Sequence, residues 1–159
     1  MKLKSSVFIA CCVWSVYIVL SIFNFYCSWH SVWSLNLNNI ILSVAGILIV
    51  IIGVVFYVAG IVALGSLRRA SGILNDQLIT KGIYRFSRNP QLLGWGLILS
   101  GVALIGESGL ALIISVFYWI ICHCQILLEE KELKKVFGDE YKLYMDRTHR
   151  YFGLTKSAG

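Results

Sequence analysis

Four long stretches of the chain consist almost entirely of apolar residues, and polar segments separate them. The stretches cover approximately residues 7–27, 40–64, 91–105 and 110–128. About 20 consecutive apolar residues form a helix that crosses the hydrocarbon core of a bilayer. The pattern therefore predicts an all-α integral membrane protein with four transmembrane helices in a single domain, residues 1–159.

The third and fourth stretches are joined by a tight turn at residues 106–109 and are expected to form an antiparallel hairpin. Asn89 and Pro90 precede this hairpin and are typical of a helix start, with Asn89 as the N-cap and Pro90 in the first position. Glu129 and Glu130 directly follow it. The two motifs are therefore expected at the same face of the membrane.

Three glycines of the second stretch, Gly46, Gly53 and Gly60, recur every seven residues. This spacing places them on one face of a helix, where small residues allow a neighbouring backbone to approach closely. The pattern does not say whether that neighbour is in the same chain or in a second copy. A homodimer through this face is therefore one of the two expected arrangements.

The composition agrees with a membrane protein, since 58% of the residues are hydrophobic and only 14% are charged. Soluble domains carry about a quarter charged residues. The net charge of +6 favours anionic headgroups over nucleic acid as the partner, because the basic residues adjoin the apolar stretches. By the positive-inside rule, Lys2, Lys4 and the basic loop at residues 65–89 place both termini in the cytoplasm.

The C-terminal segment at residues 129–152 is amphipathic, which is typical of helices that lie at a membrane interface. Gly138 is expected to end one short helix in a left-handed conformation. A second short helix then presents Tyr141 and Tyr144.

Cys122, His123 and Cys124 are adjacent, but neighbours at positions i and i+2 of a helix do not share a face. We therefore expect no metal site there. An ionisable residue inside a membrane span is a functional candidate, which makes His123 a possible acid or base. A histidine that only bonds a backbone carbonyl would fit the sequence equally well.

Several motifs between residues 75 and 152 are more specific together than any of them is alone. They are Lys81-Gly82-Ile83-Tyr84, Arg88-Asn89-Pro90, Gly94, Glu129-Glu130, Leu133, Phe137-Gly138, Tyr141 and Tyr144. This arrangement resembles the membrane methyltransferase family that includes isoprenylcysteine carboxyl methyltransferases and phosphatidylethanolamine N-methyltransferases. The resemblance covers about half of the chain.

The resemblance implies S-adenosyl-L-methionine as the methyl donor, in a cytoplasmic pocket at the ends of the last two spans, covered by the C-terminal segment. It also implies a set of cofactor contacts. These are Gln77, Leu78, Ile79, Tyr84, Arg88, Asn89, Pro90, Gly94, Trp95, Gly96, Glu129 and Glu130, with Tyr141 and Tyr144 offering aromatic faces to the sulfonium.

The implied acceptor is a lipid that enters from the bilayer and carries either an isoprenylcysteine-type carboxylate or a phospholipid amine. An amine must first lose a proton, and the base candidates are His123, Glu129 and Glu130. In the prenylcysteine branch, an arginine that contacts substrate falls at the position of His123. Asn89 stands where many members have histidine.

Two other functions remain open at this point. Sterol and enone reductases of membranes have a similar layout and use NADPH, although they are longer and fit Glu129 and Glu130 less well. A membrane protein without catalytic activity, which packs through its glycine face, is the third hypothesis.

Overall fold

The structure is a computed structural model that describes residues 2–37, 39–65 and 78–153, and only the backbone of residues 2–10. Its helices in chain order are α1 (Lys2–Trp29), α2 (Ile40–Leu64), the 3-10 helix η1 (Gly82–Arg85), α3 (Pro90–Ile105) and α4 (Gly109–Arg147). Among the described residues, the sole β-type pairing is a bridge between Ser34 and Ser108. The predicted all-α fold is confirmed.

The helix α3 lies in the middle of the bundle, because α1, α2 and α4 all pack against it. Helices α1, α2 and α4 are long and apolar enough to cross a membrane. Helix α3 has 16 residues, and at 1.5 Å per residue it reaches roughly 24 Å, less than a hydrocarbon core of about 30 Å. Three helices are therefore long enough to span the membrane, whereas a span formed by α3 stays a prediction.

The glycine face of α2 packs against α3 of the same chain. A Cβ atom added to Gly53 would lie 2.7 Å from the carbonyl oxygen of Gly94, and one added to Gly46 would lie 2.8 Å from that of Gly101. Gly60 approaches the first turn of α3 in the same way. A homodimer through this face stays a prediction, and it would require α3 to be displaced from these glycines.

The last helix extends beyond the predicted fourth span, since α4 continues past Glu130 and, through a kink at Gly138, to Arg147. Glutamate, lysine and leucine in this region are good helix formers, so the helix does not end where the apolar residues do. The predicted break occurs at Gly138, whose φ of 52° and ψ of −122° are not helical. The prediction that one helical segment ends at Gly138 and a second one follows it is confirmed.

Residues 148–153 form a segment, here called the strap, that crosses the end of the bundle. The backbone N–H of Arg88 donates to His149 (3.0 Å), and that of Gly153 donates to Phe86 (3.0 Å). Phe152 packs against Phe56 of α2, with ring centroids 5.6 Å apart. The strap therefore connects α4, the loop before α3, and α2 at what we call the Arg88 end.

The opposite end of the bundle, the Glu107 end, is organised by one carboxylate. Glu107 accepts hydrogen bonds from the backbone N–H groups of Leu37 (3.0 Å) and Asn39 (3.2 Å). The side chain of Asn39 then caps α2, and Ser108 caps α4. These contacts hold the loop between α1 and α2 against the turn between α3 and α4.

Candidate functional site

The loop before α3 and the acidic pair of α4 meet at the Arg88 end. Arg88 Nη2 lies 3.0 Å from Glu130 Oε1. Arg150 of the strap donates to the same carboxylate, from Nε to Oε1 (3.0 Å) and from Nη2 to Oε2 (2.8 Å). The predicted meeting of these two regions is confirmed, and the strap takes part in it.

Short-range contacts fix the chain around Arg88. The buried hydroxyl of Ser87 accepts a hydrogen bond from the backbone N–H of Asn89, and Pro90 begins α3 as predicted. Asn89 occupies the N-cap position, but its side chain does not cap the helix. The predicted N-cap position is therefore confirmed, but the cap hydrogen bond is absent because Asn89 Nδ2 donates instead to the carbonyl oxygen of Arg150 (3.1 Å) in the strap.

The cluster of Arg88, Glu130 and Arg150 carries one carboxylate and two guanidinium groups. The side chains of Arg88 and Glu130 are only 8% and 7% exposed. The hydrogen bonds to Glu130 raise the pKa of Arg150 above its ordinary value, so this group stays charged. The cluster therefore holds a net positive charge in a place with little water.

Two nitrogens of this cluster have no hydrogen-bond partner in the described part of the chain. Arg88 Nε and Nη1 are buried and form no hydrogen bond with any described residue. More than nine-tenths of buried polar groups in proteins have a partner. An orphaned guanidinium edge is therefore a place where a ligand could complete the structure.

Glu129 lies next to Glu130 in sequence but has different surroundings. Its carboxylate accepts a hydrogen bond from Gln125 Nε2 (2.7 Å), and the amide oxygen of Gln125 accepts one from the hydroxyl of Tyr17 in α1. Among the described residues, no lysine or arginine forms an ion pair with Glu129. The charge of this half-buried carboxylate is therefore not balanced by a cation among the described residues.

Three tyrosines line the same end of the bundle, and all are buried. The hydroxyl of Tyr144 donates to the carbonyl oxygen of Tyr84 (2.7 Å), and the rings of Tyr141 and Tyr144 lie 6.0 Å apart. Burial raises the pKa of Tyr84, and the negative charge of Glu129 adds to the rise. Tyr84 therefore stays neutral at physiological pH.

The remaining predicted contacts in the loop are only partly described. Leu78 and Ile79 precede η1 and are half-buried. Gln77 lies outside the described residues. Their roles in binding the cofactor stay predictions.

Gly94, Trp95 and Gly96 form helix contacts. A Cβ atom on Gly94 would lie 2.4 Å from the backbone nitrogen of Tyr57 in α2, and one on Gly96 would lie 2.6 Å from the ring of Trp119 in α4. Trp95 Nε1 donates to Ser21 of α1 (3.0 Å). These residues hold α3 between its neighbours, and cofactor binding by them stays a prediction.

His123 lies on the exposed face of α4, where its Nδ1 atom forms a hydrogen bond with the hydroxyl of Tyr151 in the strap. It precedes Glu130 by seven residues, which is about two helical turns or roughly 10 Å along the axis. Cys122 is buried while Cys124 is exposed. Within the described residues, no three side chains of the metal-ligating types come together.

Two surface hollows of about 420 and 440 Å³ lie at the Glu107 end. Phe25 and Trp29 line the first, whereas Ser34 and Glu107 line the second. Neither contains a residue that the sequence predicts to bind the cofactor. The predicted residues that the structure brings together are those around Arg88 and Glu130.

Sequence reasoning missed three residues of this site, Tyr17, Gln125 and Arg150. The sequence does contain a signal for Gln125, because an amide in an apolar stretch, one helical turn before Glu129, indicates a polar contact between the two side chains. The signal for Arg150 is weaker, since it is only a basic residue shortly after Tyr141 and Tyr144. Tyr17 had none, since a tyrosine among the apolar residues of α1 is ordinary.

Comparisons with known proteins give one family. The family model described as phospholipid methyltransferase matches residues 41–140. No curated protein and no solved structure matches the chain. The match does not support the reductase hypothesis. Three helices are long and apolar enough to span a bilayer, which agrees with a membrane methyltransferase. Because the match covers more than half of the 159 residues, the chain belongs to the phospholipid methyltransferase family.

Proposed function

We propose that this protein transfers a methyl group from S-adenosyl-L-methionine to a lipid acceptor, and that the acceptor group is a phospholipid amine. The observation that carries the proposal is the meeting of the Arg88 loop with Glu129 and Glu130 at one end of the bundle. The family match points to a phospholipid as the acceptor.

The charges of the site fit such a donor. S-adenosyl-L-methionine carries a carboxylate together with two cationic groups, an ammonium and a sulfonium. The unpartnered nitrogens of Arg88 complement the carboxylate, and Glu129 complements a cation. When bound, the donor supplies a methyl group that the positively charged sulfur activates for transfer.

The residues of the chain orient the reactants and exclude water. Methyl transfer is an in-line displacement, so positioning contributes much of the rate. Tyr141 and Tyr144 offer aromatic faces beside the charged cluster, which favours a cation there. The strap closes the site from the end of the bundle, while the acceptor approaches from the bilayer.

Among the three base candidates, the geometry favours Glu129 and His123. Both oxygens of Glu130 accept hydrogen bonds from guanidinium groups, so a proton there would disrupt the cluster. Glu129 has no cationic partner among the described residues, and His123 is exposed on the surface of α4. Either could take the proton that an ammonium acceptor must lose.

Cofactor choice is tested by thermal unfolding of the purified protein in detergent. A ligand that binds the folded state raises the melting temperature. We expect S-adenosyl-L-methionine to raise it and NADPH to have no effect. A rise with NADPH alone would favour the reductase hypothesis, and no rise with either would contradict the proposal.

The reaction is tested with methyl-labelled donor and vesicles that contain phosphatidylethanolamine or a prenylcysteine. We expect label in the phosphatidylethanolamine vesicles. Glu129→Gln should lower the rate at least about tenfold, a loss of about 1.4 kcal/mol of transition-state stabilisation. Glu132→Gln is the matched control, because Glu132 is exposed and pairs only with Lys135 among the described residues. Equal rates in the two variants would remove Glu129 from the mechanism.

A further inference from the structure

We infer that the hollow lined by Phe25 and Trp29 at the Glu107 end binds an uncharged lipid through a free hydroxyl group. Asn24 and Ser28 of α1 are the hydrogen-bond partners of that hydroxyl. The hollow lies at the opposite end of the bundle from the charged cluster that we propose for the methyl donor. The inference therefore does not depend on the proposed function.

The hollow has the size and the lining of a site for a lipid. Its volume of about 420 Å³ lies within the usual range for ligand pockets, about 300–1,000 Å³. Apolar and aromatic side chains form most of its wall, among them Phe25, Trp29 and Val102. Of the described residues, no lysine, arginine, aspartate or glutamate lines it. A charged head group would lose hydration there without gaining such a partner, so an uncharged one is favoured.

Ser28 lines this hollow, and its buried hydroxyl has no hydrogen-bond partner among the described residues. Serine hydroxyls in helices can donate to the carbonyl oxygen four residues earlier. In this chain Ser15, Ser21, Ser100 and Ser115 do so. Ser28 does not, and a rotation about χ1 would present its hydroxyl to a ligand in the hollow.

A second polar atom without a partner lies one helical turn before Ser28. Asn24 is fully buried, and its Nδ2 donates to the carbonyl oxygen of Ala111 (2.9 Å) and to Ser115 Oγ (3.0 Å). These bonds use both amide hydrogens, whereas Oδ1 has no partner among the described residues. Residues four apart on a helix have Cβ atoms about 5–6 Å apart. One ligand oxygen between Asn24 and Ser28 could therefore bond to both.

The two atoms together select the chemistry of the head group. Asn24 Oδ1 can only accept, so the ligand must donate a hydrogen bond to it. A hydroxyl group donates one bond and also accepts, so it can donate to Asn24 and accept from Ser28. An ester or a carboxylate has no hydrogen to donate, and an ammonium group cannot accept. A hydroxyl at the end of an apolar chain therefore matches both the two atoms and the wall of the hollow.

The test uses the full chain in nanodiscs and a radiolabelled oleyl alcohol with a photoreactive diazirine in its chain. The cross-linked peptides are mapped, and unlabelled competitors with the same chain are compared. The competitors are oleyl alcohol, oleylamine, oleate and cis-9-octadecene, which carry a hydroxyl, an ammonium, a carboxylate and no head group. We expect label in residues 25–30 and 102–106. Oleyl alcohol should compete at concentrations at least about tenfold lower than the other three.

Ser28→Ala removes one partner of the hydroxyl, so oleyl alcohol and cis-9-octadecene should then compete within about twofold of each other. Its melting temperature should stay at the wild-type value, because the Ser28 hydroxyl has no bond to lose among the described residues. Ser15→Ala is the matched control, since Ser15 is an exposed serine of the same helix and does not line the hollow. It should keep the tenfold difference.

Several results would overturn the inference. Equal competition by the alcohol and the alkene in the wild type would show that the hollow accepts any apolar chain. A preference for oleate would assign the hollow to an anion, which His30 in its wall could attract. An unchanged preference for the alcohol in Ser28→Ala would remove Ser28 from the site. Should Ser28→Ala unfold, Val102→Phe narrows the same hollow and should abolish the labelling. Donor binding and methyl transfer are not read out, so each failure leaves the proposed function intact.

Discussion

Glu129 and Glu130 are adjacent acids, yet the structure gives them different tasks. Glu130 is 93% buried at its side chain between two guanidinium groups, whereas Glu129 bonds the amide of Gln125. Consecutive residues of a helix point in directions about 100° apart, which separates their partners. One acid therefore supports the structure of the site, and the other is available to a ligand.

This difference predicts a large loss of stability in Glu130→Gln. Removing the carboxylate leaves Arg88 and Arg150 without a counterion, and breaking a buried ion pair costs about 3–5 kcal/mol. We expect the lower end of that range, because Arg150 is 33% exposed. Thermal unfolding in detergent measures the change.

Glu132→Gln serves as the control for this prediction as well. Its pair with Lys135 is exposed, with 63% and 70% of the side chains accessible, and such pairs contribute about 0–1 kcal/mol. If the two glutamine variants unfolded at the same temperature, the buried cluster would have no structural role.

At the scale of the helices, α2 and α3 pack through glycines on both sides of their interface. Gly53 faces Gly94, and Gly46 faces Gly101, so the two backbones come into direct contact. The loop that carries Arg88 leads directly into α3. The position of α3 against α2 therefore also sets the position of the site.

Gly94→Ala should separate these helices. The added Cβ atom would lie 2.4 Å from the backbone nitrogen of Tyr57, and a backbone atom cannot move without moving α2. Overpacking of this kind costs about 1–3 kcal/mol, and the melting temperature should fall accordingly. Val55→Ile is the control, since Val55 is 58% exposed on the outer face of α2. An unchanged melting temperature in Gly94→Ala would contradict the packing described here.

The sequence predicts the helices well because long apolar stretches leave few alternatives in a membrane. It predicts their ends less well. Helix α4 passes its apolar boundary at Leu128 and continues as far as the kink at Gly138, since helix-forming residues follow. The side-chain bond of Asn89 could not be predicted either, because its partner, Arg150, is 61 residues away in sequence.

At the scale of the whole molecule, the helix directions place the Arg88 and Glu107 ends on opposite sides of the bundle. The meeting of Arg88 and Glu130 was predictable, because a hairpin returns the chain to the face from which it started. The hydrogen bond between Tyr17 and Gln125 could not be predicted, because it depends on how α1 packs against α4. Hydropathy alone does not determine that packing.

The positive-inside rule assigns the Arg88 end to the cytoplasm, and this is testable by labelling. In a variant without its five cysteines, Leu37→Cys and Lys135→Cys each introduce an exposed thiol, one at either end. We expect a membrane-impermeant maleimide to label Leu37→Cys in intact cells, and Lys135→Cys only after permeabilisation. Labelling of both from the same side would contradict the four-span topology.

The location of the donor is tested most directly by ultraviolet cross-linking of labelled S-adenosyl-L-methionine to the protein, followed by mapping of the labelled peptide. In the described part of the chain, the charged cluster at the Arg88 end and the hollows at the Glu107 end are candidates for holding a small molecule. We expect the label between residues 78 and 95 or between residues 125 and 144. Label confined to residues 25–36 or 102–109 would contradict the assignment of the site.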